Sequence, residues 1–375
     1  MYALALNILA SSNLLIAEIL TNFYDARIIV FNRFTLYLQH SQQTYYWQNN
    51  PNLYRNILDS YMYINATGYY VPSERITNDF FLNINGKTDE WIRQRTGIVT
   101  RSRAGADENV NTMCELAVED AMKRLPYDIG DVDLIVAASY SPHDTVATPA
   151  HTIQNRYAIR DARAVYISSA CSSFMNALEI VECYFRAGKA HRALVVGGDK
   201  NSAYYHPEDP KSGHLWGDAA AAFFLSDERL SPNDAEILEL TTESLGYMEG
   251  CTTAINMRPY AGGISMTNGK DVFIKACMTM PRNVRGLLER NGLTLDDMDY
   301  LVAHQANLRI LNNVASDMKL RPEQVLQNIV ELGNTGSASS ALVYAQNAER
   351  FRRGDIIVMT VFGGGYSTGG CLIRA

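Results

Sequence analysis

The alternation of strand and helix patterns from Met62 onward is the feature that most limits how this chain can fold. Short apolar, β-branched runs at residues 133–139 and 300–303 predict strands. Apolar residues at helical spacing predict helices at residues 112–124 and 270–291. Alternating strand and helix units imply a mainly parallel sheet that is covered by helices. Because the second half repeats this order more loosely, the residues predict an α/β fold with two similar halves.

Residues 1–61 do not follow this alternation. The run at residues 3–20 is rich in Leu, Ile and Ala, but it also carries polar residues, and no Lys or Arg precedes Arg27. A signal peptide needs a positively charged start and a membrane span needs about 20 mainly apolar residues, so the run matches neither. We therefore predict an N-terminal extension at 1–61 and two halves of the fold at 62–235 and 236–375. A start codon assigned too early and an accessory interaction arm remain two explanations for the extension.

Cys171 lies where a strand pattern gives way to a helical pattern. Residues 165–167 predict a buried strand, and apolar residues at helical spacing predict a helix that begins near Ser172. The unpaired N–H groups and the dipole at a helix N-terminus favour the thiolate, which is the reactive form of cysteine. A buried structural cysteine is the alternative, and the small, polar residues around Cys171 leave both open.

Two distant stretches supply a histidine and an asparagine. His304 follows the apolar run at 300–303, and Asn334 lies in a Gly/Ser turn before a helix predicted at residues 340–353. A lone histidine after a strand is commonly structural. Together with Cys171, however, these residues resemble the Cys–His–Asn set of the ketosynthase III enzymes, which are the β-ketoacyl-ACP synthase III-like members of the thiolase superfamily.

The resemblance covers residues 62–375 and is carried by five motifs in the family's order. They are residues 89–98 (DEWIRQRTGI), 217–221 (GDAAA), 304–309 (HQANLR), 333–335 (GNT) and 362–365 (FGGG). The resemblance implies a thiolase-like duplicated α/β fold with five layers, α/β/α/β/α. It also implies decarboxylative Claisen condensation of an acyl group on the active-site cysteine with a malonyl- or β-ketoacyl-thioester on acyl carrier protein, in fatty acid or secondary-metabolite biosynthesis.

By the same resemblance, each site residue has an expected role. Cys171 takes the acyl group as a low-pKa thiolate, and His304 and Asn334 donate hydrogen bonds to the enolate that decarboxylation forms. The backbone N–H groups of Cys171 and Gly364 form the oxyanion hole. We expect no cofactor, since an acyl-carrier phosphopantetheine or CoA thioester is the substrate. We expect no metal, because the other histidines lack companions at metal-ligand spacing.

Two other functions remain as alternatives. One is a dialkylresorcinol-forming ketosynthase/cyclase that joins two acyl chains. The other is an inactive partner subunit of a heterodimeric ketosynthase. Such subunits usually lose the nucleophile, whereas Cys171, His304 and Asn334 are all present here.

The chain departs from the family at the position that clamps CoA. Relatives that use acyl-CoA hold the adenine between a tryptophan and an arginine. Trp91 matches the tryptophan, and Arg95 is present nearby, so both are expected to contact a nucleotide. The arginine position after Gly198-Asp199 holds Ala203. This departure predicts weak CoA binding and a carrier-bound donor.

Docking and acyl-chain residues follow from the same comparison with the family. Lys275 and Arg309 occupy positions that resemble those used to dock an acidic carrier protein. Thr148 aligns with the wall residue that limits primer length in short-chain members. Because threonine is smaller than the phenylalanine often found there, we expect a longer or bulkier acyl chain.

Charge and cysteine content restrict location and partners. A formal net charge of −7 argues against a general nucleic-acid binder, so an acidic partner must dock on a local basic patch. Six cysteines without CxxC pairs, metal-ligand spacing or a secretory signal predict reduced thiols and a cytoplasmic location. We expect a homodimer, as in the family, that binds acyl carrier protein and neither membranes nor nucleic acid.

Overall fold

The computed structural model describes residues 62–375, so the extension predicted at 1–61 lies outside the described residues. The strands of this part are β1 (Tyr63–Tyr70), β2 (Glu74–Thr77), β3 (Thr100–Arg103), β4 (Leu134–Ala138), β5 (Arg163–Ile167), β6 (Arg192–Lys200), β7 (Asp218–Ser226), β8 (Ala235–Ser244), β9 (Ile255–Arg258), β10 (Gly263–Met266), β11 (Tyr300–Ala303), β12 (Ile356–Gly363) and β13 (Ser367–Arg374). The helices are α1 (Asp79–Asn85), α2 (Asp89–Thr96), α3 (Val110–Met122), α4 (Pro149–Arg156), α5 (Ser173–Arg186), α6 (Gly269–Arg290), α7 (Leu308–Asp317), α8 (Ile329–Leu332) and α9 (Ser339–Asn347). None of these helices combines the length and the apolar character needed to cross a membrane.

The main sheet of the described part has nine strands in the order β11-β12-β13-β8-β1-β7-β6-β4-β5. Three neighbouring pairs are parallel, namely β11/β12, β4/β5 and β4/β6, and the other pairs are antiparallel. The prediction of a mainly parallel sheet is therefore wrong. A parallel connection needs a crossover, usually an α-helix, and no α-helix separates β6 from β7 or β12 from β13 within residues 62–375.

The sheet consists of two parts that meet at one junction. β1 pairs with β8 through Tyr63 and Glu236 and through Ile64 and Ala235. On one side of this junction lie β1, β7, β6, β4 and β5, and on the other lie β8, β13, β12 and β11. The predicted boundary at 235/236 falls at the first residues of β8.

Helices cover both faces of each part. α5 and α9 lie between the two parts, where Phe174 and Leu342 belong to one core with apolar residues of both. α3 and α4 cover the outer face of the first part, and α6 and α7 cover the outer face of the second. Each sheet face and the apolar face of each covering helix thus bury side chains against another layer. The arrangement confirms the five-layer α/β/α/β/α prediction.

Some element boundaries differ from the prediction. The helix predicted at 340–353 ends at Asn347 and continues only as a 3₁₀ turn over Ala348–Arg350. The two-stranded sheets β2/β3 and β9/β10 were not predicted. Their strands have four residues each, too short for alternation to be recognised.

Candidate active site

Cys171 occupies a sharp turn between β5 and α5. The residue before it, Ala170, has a φ of 50°, a left-handed conformation that costs a residue with a Cβ about 1–2 kcal/mol. Ser173 stabilises the turn, since its hydroxyl donates to the Ala170 carbonyl at 2.5 Å and accepts from the Ser169 N–H at 2.8 Å. α5 begins at Ser173, so Cys171 lies just before the helix N-terminus, as the sequence predicts.

Cys171, His304 and Asn334 line one cavity of about 80 Å³. His304 follows the end of β11, and Asn334 follows α8. The rest of the lining is mainly apolar and comes largely from α6, α7, the β9/β10 hairpin and the glycine loop at the end of β12. Across residues 62–375, no group of three or more His, Cys, Asp or Glu side chains is arranged to hold a metal ion.

His304 is buried and neutral. Burial lowers the pKa of its imidazole to about 4. Its Nδ1 lies 2.5 Å from the hydroxyl of Ser339, and its backbone N–H donates to the Thr360 carbonyl at 2.9 Å. A Ser339 hydroxyl that donates to Nδ1 leaves the ring proton on Nε2. The second nitrogen is then available as a neutral hydrogen-bond donor.

Asn334 is held through its backbone and its side-chain oxygen. Its backbone N–H donates to Leu215 at 2.8 Å, and its carbonyl accepts from Gly217 at 2.9 Å. Its Oδ1 accepts from the Gly336 N–H at 3.0 Å. Gly333 has a φ of 69°, and a Cβ there would lie 2.8 Å from the Leu215 carbonyl oxygen, so the turn requires glycine. With Oδ1 fixed, the Nδ2 group is the part of the amide left to donate to a ligand.

The glycine loop after β12 contacts the Cys171 turn directly. The N–H groups of Gly364 and of Cys171 itself lie near the Cys171 sulfur and lower the pKa of its thiol. A Cβ on Gly363 would lie 2.9 Å from the Cys171 nitrogen, so only glycine permits this approach. The two amides predicted for the oxyanion hole therefore both lie beside the nucleophile.

The predicted low-pKa thiolate is wrong for the resting enzyme. Burial, with the Asp199 carboxylate adding to it, raises the pKa of Cys171 to about 12, because the Gly364 and Cys171 N–H groups offset these effects only in part. The position before a helix can be predicted from the sequence, but the degree of burial cannot. The thiol is protonated at neutral pH and must lose its proton during the reaction.

Asp199 is a buried carboxylate behind the site that the sequence analysis did not identify. Its Oδ1 accepts from the hydroxyls of Ser139 at 2.9 Å and Ser141 at 2.7 Å, and its Oδ2 accepts from the N–H and hydroxyl of Ser337 at 2.7 Å. Burial raises the pKa of Asp199. The carboxylate connects the loop after β4 with the turn that follows Asn334. A lone aspartate at the end of an apolar strand was the only sequence signal.

Trp91 and Arg95 form a cation–π pair on α2. The Arg95 guanidinium lies 4.4 Å from the Trp91 ring centre, and the Lys87 ammonium lies 4.2 Å from it. The ring also meets the edge of His214 at 5.3 Å. Ala203, at the position of the second adenine-binding residue, is exposed in a 3₁₀ turn. Cations of the chain itself therefore already contact the tryptophan that was predicted to stack on adenine.

Arg309 is exposed in the first turn of α7. The side chain of Asn307 caps this helix by accepting the Arg309 N–H at 2.8 Å. The Arg309 guanidinium lies 5.7 Å from the ring centre of Phe273, and Phe273 lines the cavity. The structure thus places this predicted docking residue beside the cavity wall.

Lys275 lies in a different environment from the one expected. Its ammonium is 2.6 Å from the Asp271 carboxylate, and its side chain is 19% exposed. The neighbouring Ile274 is 45% exposed. Because α6 turns Lys275 inward, its charge is paired within the chain and is not free for a carrier protein.

Thr148 is buried at the start of α4 and is absent from the cavity lining given by the described residues. Its hydroxyl lies 2.9 Å from His151 Nδ1. Within one chain, the cavity beside Cys171 is therefore bounded by other residues, including Ile255, Met266 and Met280.

Cys171 at its turn, the neutral His304 and Asn334 lie together where two similar halves meet. This arrangement defines an acyltransferase of the thiolase-like class. The family model for 3-oxoacyl-[acyl-carrier-protein] synthase III matches residues 166–246, and the model for its C-terminal part matches residues 288–375. The β-ketoacyl-[acyl-carrier-protein] synthase III of Methylococcus capsulatus is 36% identical over 324 residues, which cover 84% of this chain and 100% of the relative. The chain belongs to the 3-oxoacyl-[acyl-carrier-protein] synthase III family.

Solved structures agree with this assignment. The crystal structure of 3-oxoacyl-[acyl-carrier-protein] synthase III from Aquifex aeolicus matches with a TM-score of 0.78 and 31% identity, over 84% of this chain and 100% of that chain. The priming β-ketosynthase of the R1128 polyketide biosynthetic pathway matches with a TM-score of 0.76 and 26% identity, over 84% of this chain and 96% of that chain. The thiolase-like fold and the ketosynthase class of the enzyme are both confirmed.

Proposed function

We propose that this enzyme condenses an acyl group held on Cys171 with a malonyl thioester of acyl carrier protein, releasing carbon dioxide, in fatty acid biosynthesis. The main support is that Cys171, His304 and Asn334 line one cavity, with the Gly364 N–H beside the sulfur. The relatives named above carry the name of this activity.

In the first half-reaction, the Cys171 sulfur attacks the carbonyl carbon of an acyl thioester. The carbon–sulfur bond of the donor breaks, and the departing thiol takes up the proton that Cys171 loses. Because burial holds the thiol pKa high, this proton leaves as the new bond forms. The Cys171 and Gly364 N–H groups stabilise the oxyanion of the tetrahedral intermediate.

In the second half-reaction, a malonyl thioester loses carbon dioxide and becomes an enolate. His304 Nε2–H and Asn334 Nδ2–H donate to the enolate oxygen, and the lowered pKa of His304 keeps it a neutral donor. The enolate carbon then attacks the acyl carbonyl on Cys171. The thiolate leaves, and the product is a β-ketoacyl thioester.

A carrier-bound donor is favoured over free CoA. Trp91 already contacts Lys87 and Arg95, and Ala203 supplies no second adenine-binding group. Arg309 is exposed beside the cavity wall, where it can bind an acidic carrier. The paired Lys275 is not part of this proposed docking surface.

We propose that the enzyme is a cytoplasmic homodimer. The cysteines of the described residues are all free thiols, which suits a reducing compartment. Val146, two residues before Thr148, is an apolar residue that is 81% exposed in one chain. A second subunit that covers Val146 would also lie close to Thr148. Size-exclusion chromatography with light scattering tests this assembly, and a monomer at micromolar concentration would contradict it.

Intact-protein mass spectrometry tests the activity most directly. The enzyme is incubated with matched acyl-CoA and acyl-carrier donors of several chain lengths, and then with malonyl-carrier. We expect a stoichiometric acyl adduct that disappears when malonyl-carrier is added, with release of a β-ketoacyl-carrier. An adduct that persists, or no adduct with any donor, would contradict the proposal.

The alternatives from the sequence are not favoured. The relatives at 31–36% identity are named as β-ketoacyl-carrier synthases, not as resorcinol-forming enzymes. An inactive partner subunit is not favoured because the Cys–His–Asn set is complete and shares one cavity.

A further inference from the structure

The loop that carries Gly364 needs an external support. It is a run of three glycines, Gly363 to Gly365, that starts at the last residue of β12 and leads to β13. Glycine loses more conformational freedom on folding than any other residue, so such a run does not hold its own shape. Yet the Gly364 N–H must stay beside Cys171 to donate to the oxyanion that forms on the acyl carbonyl oxygen.

Tyr366 holds one side of this loop. It has a φ of 55°, which is unfavourable for a residue with a large side chain, yet its side chain is completely buried. The Tyr366 ring packs against Phe362 at 5.6 Å, and its carbonyl accepts from the Leu245 N–H at 2.6 Å. The two contacts fix the residue that follows the glycine run.

The Tyr366 hydroxyl donates to the carboxylate of Asp271 on α6. Lys275, one turn further on, pairs with the same carboxylate at 2.6 Å, and its ammonium lies 4.8 Å from the Tyr366 ring centre. Lys275 and then Tyr366 lower the pKa of Asp271, so the acceptor is ionised. Hydrogen bonds to an ionised acceptor are stronger than neutral ones. This cluster is the role the structure gives to the inward-facing Lys275.

Ser367 holds the other side of the loop. Its hydroxyl lies 2.6 Å from that of Ser172 and donates to the Ser169 carbonyl at 3.0 Å. The loop is thus attached to the nucleophile turn by Ser367 and to α6 by Tyr366. The same helix supplies Phe273 and Ala276 to the cavity wall.

We propose that Tyr366 and Asp271 are positioning residues that hold the Gly364 amide in place beside the Cys171 sulfur. The inference rests on the proposed acyl transfer to Cys171. The hydroxyl-to-carboxylate bond joins α6, which forms the cavity wall, to the loop that supplies the oxyanion donor. The bond therefore holds two elements together as one unit. These are α6, which lines the cavity for the acyl chain, and the Gly364 amide, which activates the acyl carbonyl.

Tyr366→Phe and Asp271→Asn test this inference, with Tyr344→Phe as the matched control. Tyr344 is a buried core tyrosine on α9, so its variant loses the same hydroxyl away from the loop. Two quantities are measured: the single-turnover rate of acyl transfer to Cys171, and the rate of Cys171 alkylation by iodoacetamide at a fixed pH below the pKa of the thiol. The alkylation rate is proportional to the thiolate fraction, so it reports whether the Gly364 N–H still stabilises the thiolate.

For Tyr366→Phe we expect transfer to be about tenfold slower, a fraction of the loss when an oxyanion donor is removed outright, with KM unchanged. The alkylation rate should fall, whereas Tyr344→Phe should change neither quantity. Asp271→Asn retains an acceptor oxygen and should lose less than Tyr366→Phe. The double variant should be no slower than Tyr366→Phe, because both changes act on one bond.

Two results would overturn the inference. One is a Tyr366→Phe enzyme with the transfer rate and alkylation rate of Tyr344→Phe, and the other is additive losses in the double variant. Failure of the proposed function is distinguishable, because the wild-type enzyme would then form no acyl adduct on Cys171.

Discussion

The backbone N–H of Gly364 lies beside Cys171 and lowers the pKa of its thiol, although the two residues belong to different halves of the fold. Cys171 belongs to the first half, whereas Gly364, His304 and Asn334 belong to the second. Neither half contains a complete site, so the chemistry at these residues depends on the packing of the two halves.

Cys171→Ala should abolish acyl-enzyme formation and leave the fold intact, because it removes only a thiol from the turn. Intact-protein mass spectrometry measures the adduct, and circular dichroism measures the fold. Cys183→Ala, which changes an exposed cysteine on α5, is the control and should acylate normally. An adduct that survives in Cys171→Ala would place the nucleophile elsewhere.

His304→Ala and Asn334→Ala should still accept an acyl group, since both donors act on the enolate of the second half-reaction. Each should slow decarboxylation of malonyl-carrier by about 10²–10³-fold, the usual effect of removing one oxyanion donor. Release of labelled carbon dioxide measures this step. Asn313→Ala, at an exposed position on α7, is the control. Near wild-type decarboxylation in either site variant would remove that residue from the proposed role.

Arg309→Glu should raise KM for acyl-carrier substrates about threefold to tenfold, because it replaces an attractive surface charge with a repulsive one. A short pantetheine thioester, which has no carrier to dock, should be used as before. The wild-type preference for carriers should fall with added salt as charges are screened. Arg282→Glu, exposed on α6 and paired with Glu243, is the control. Equal KM values for Arg309→Glu and Arg282→Glu would exclude Arg309 from docking.

His214 should make the protein less stable in acid. Burial lowers its pKa to about 4 from the usual 6.5, with Arg101 and Lys87 adding to the effect. The unfolded chain therefore binds more protons between these values, and this part of the stability is lost as pH falls from about 6.5 towards 4. When the pH is lowered from 7 to 5, the unfolding free energy of wild type should fall by about 1–2 kcal/mol more than that of His214→Leu. Urea denaturation of both proteins at both pH values measures these free energies. An equal fall in the two proteins would show that His214 is protonated in the folded state at pH 5.

A chain that begins at Met62 should fold and condense acyl groups. β1 begins at Tyr63 and pairs with β7 and β8, so the strands around it lie within residues 62–375. Expression of this shortened chain, followed by the mass-spectrometric assay, tests the prediction. An insoluble or inactive product would make residues 1–61 part of the catalytic fold.

Much of the architecture could be predicted because the strands and helices have strong periodicity. β11 has the predicted bounds, the motifs located His304 and Asn334, and the change from strand to helix pattern located Cys171. Strand direction could not be predicted, because it depends on whether a helix or a loop connects two strands. The antiparallel β6/β7 and β12/β13 pairs follow from such loops.

The environment of each side chain was also beyond the sequence. Cys171 was expected to be a thiolate because it precedes a helix, but burial and Asp199 raise its pKa. Lys275 was expected at the surface, but its position on α6 turns it towards Asp271. In both cases the outcome depends on how the residue packs against the rest of the fold, and one sequence does not show which residues meet in space.

The order of the strands in the sheet has a consequence for the protein as it is synthesised. β13 comes after β8 and β12 in the chain, yet it lies between them in the sheet. Until β13 leaves the ribosome, β8 and β12 each present an unpaired edge, and exposed strand edges promote aggregation. Pairing with β13 covers both edges, and β13 follows directly on the loop that carries Gly364. The strand that protects the sheet from aggregation is therefore also the strand that anchors the Gly364 loop near Cys171.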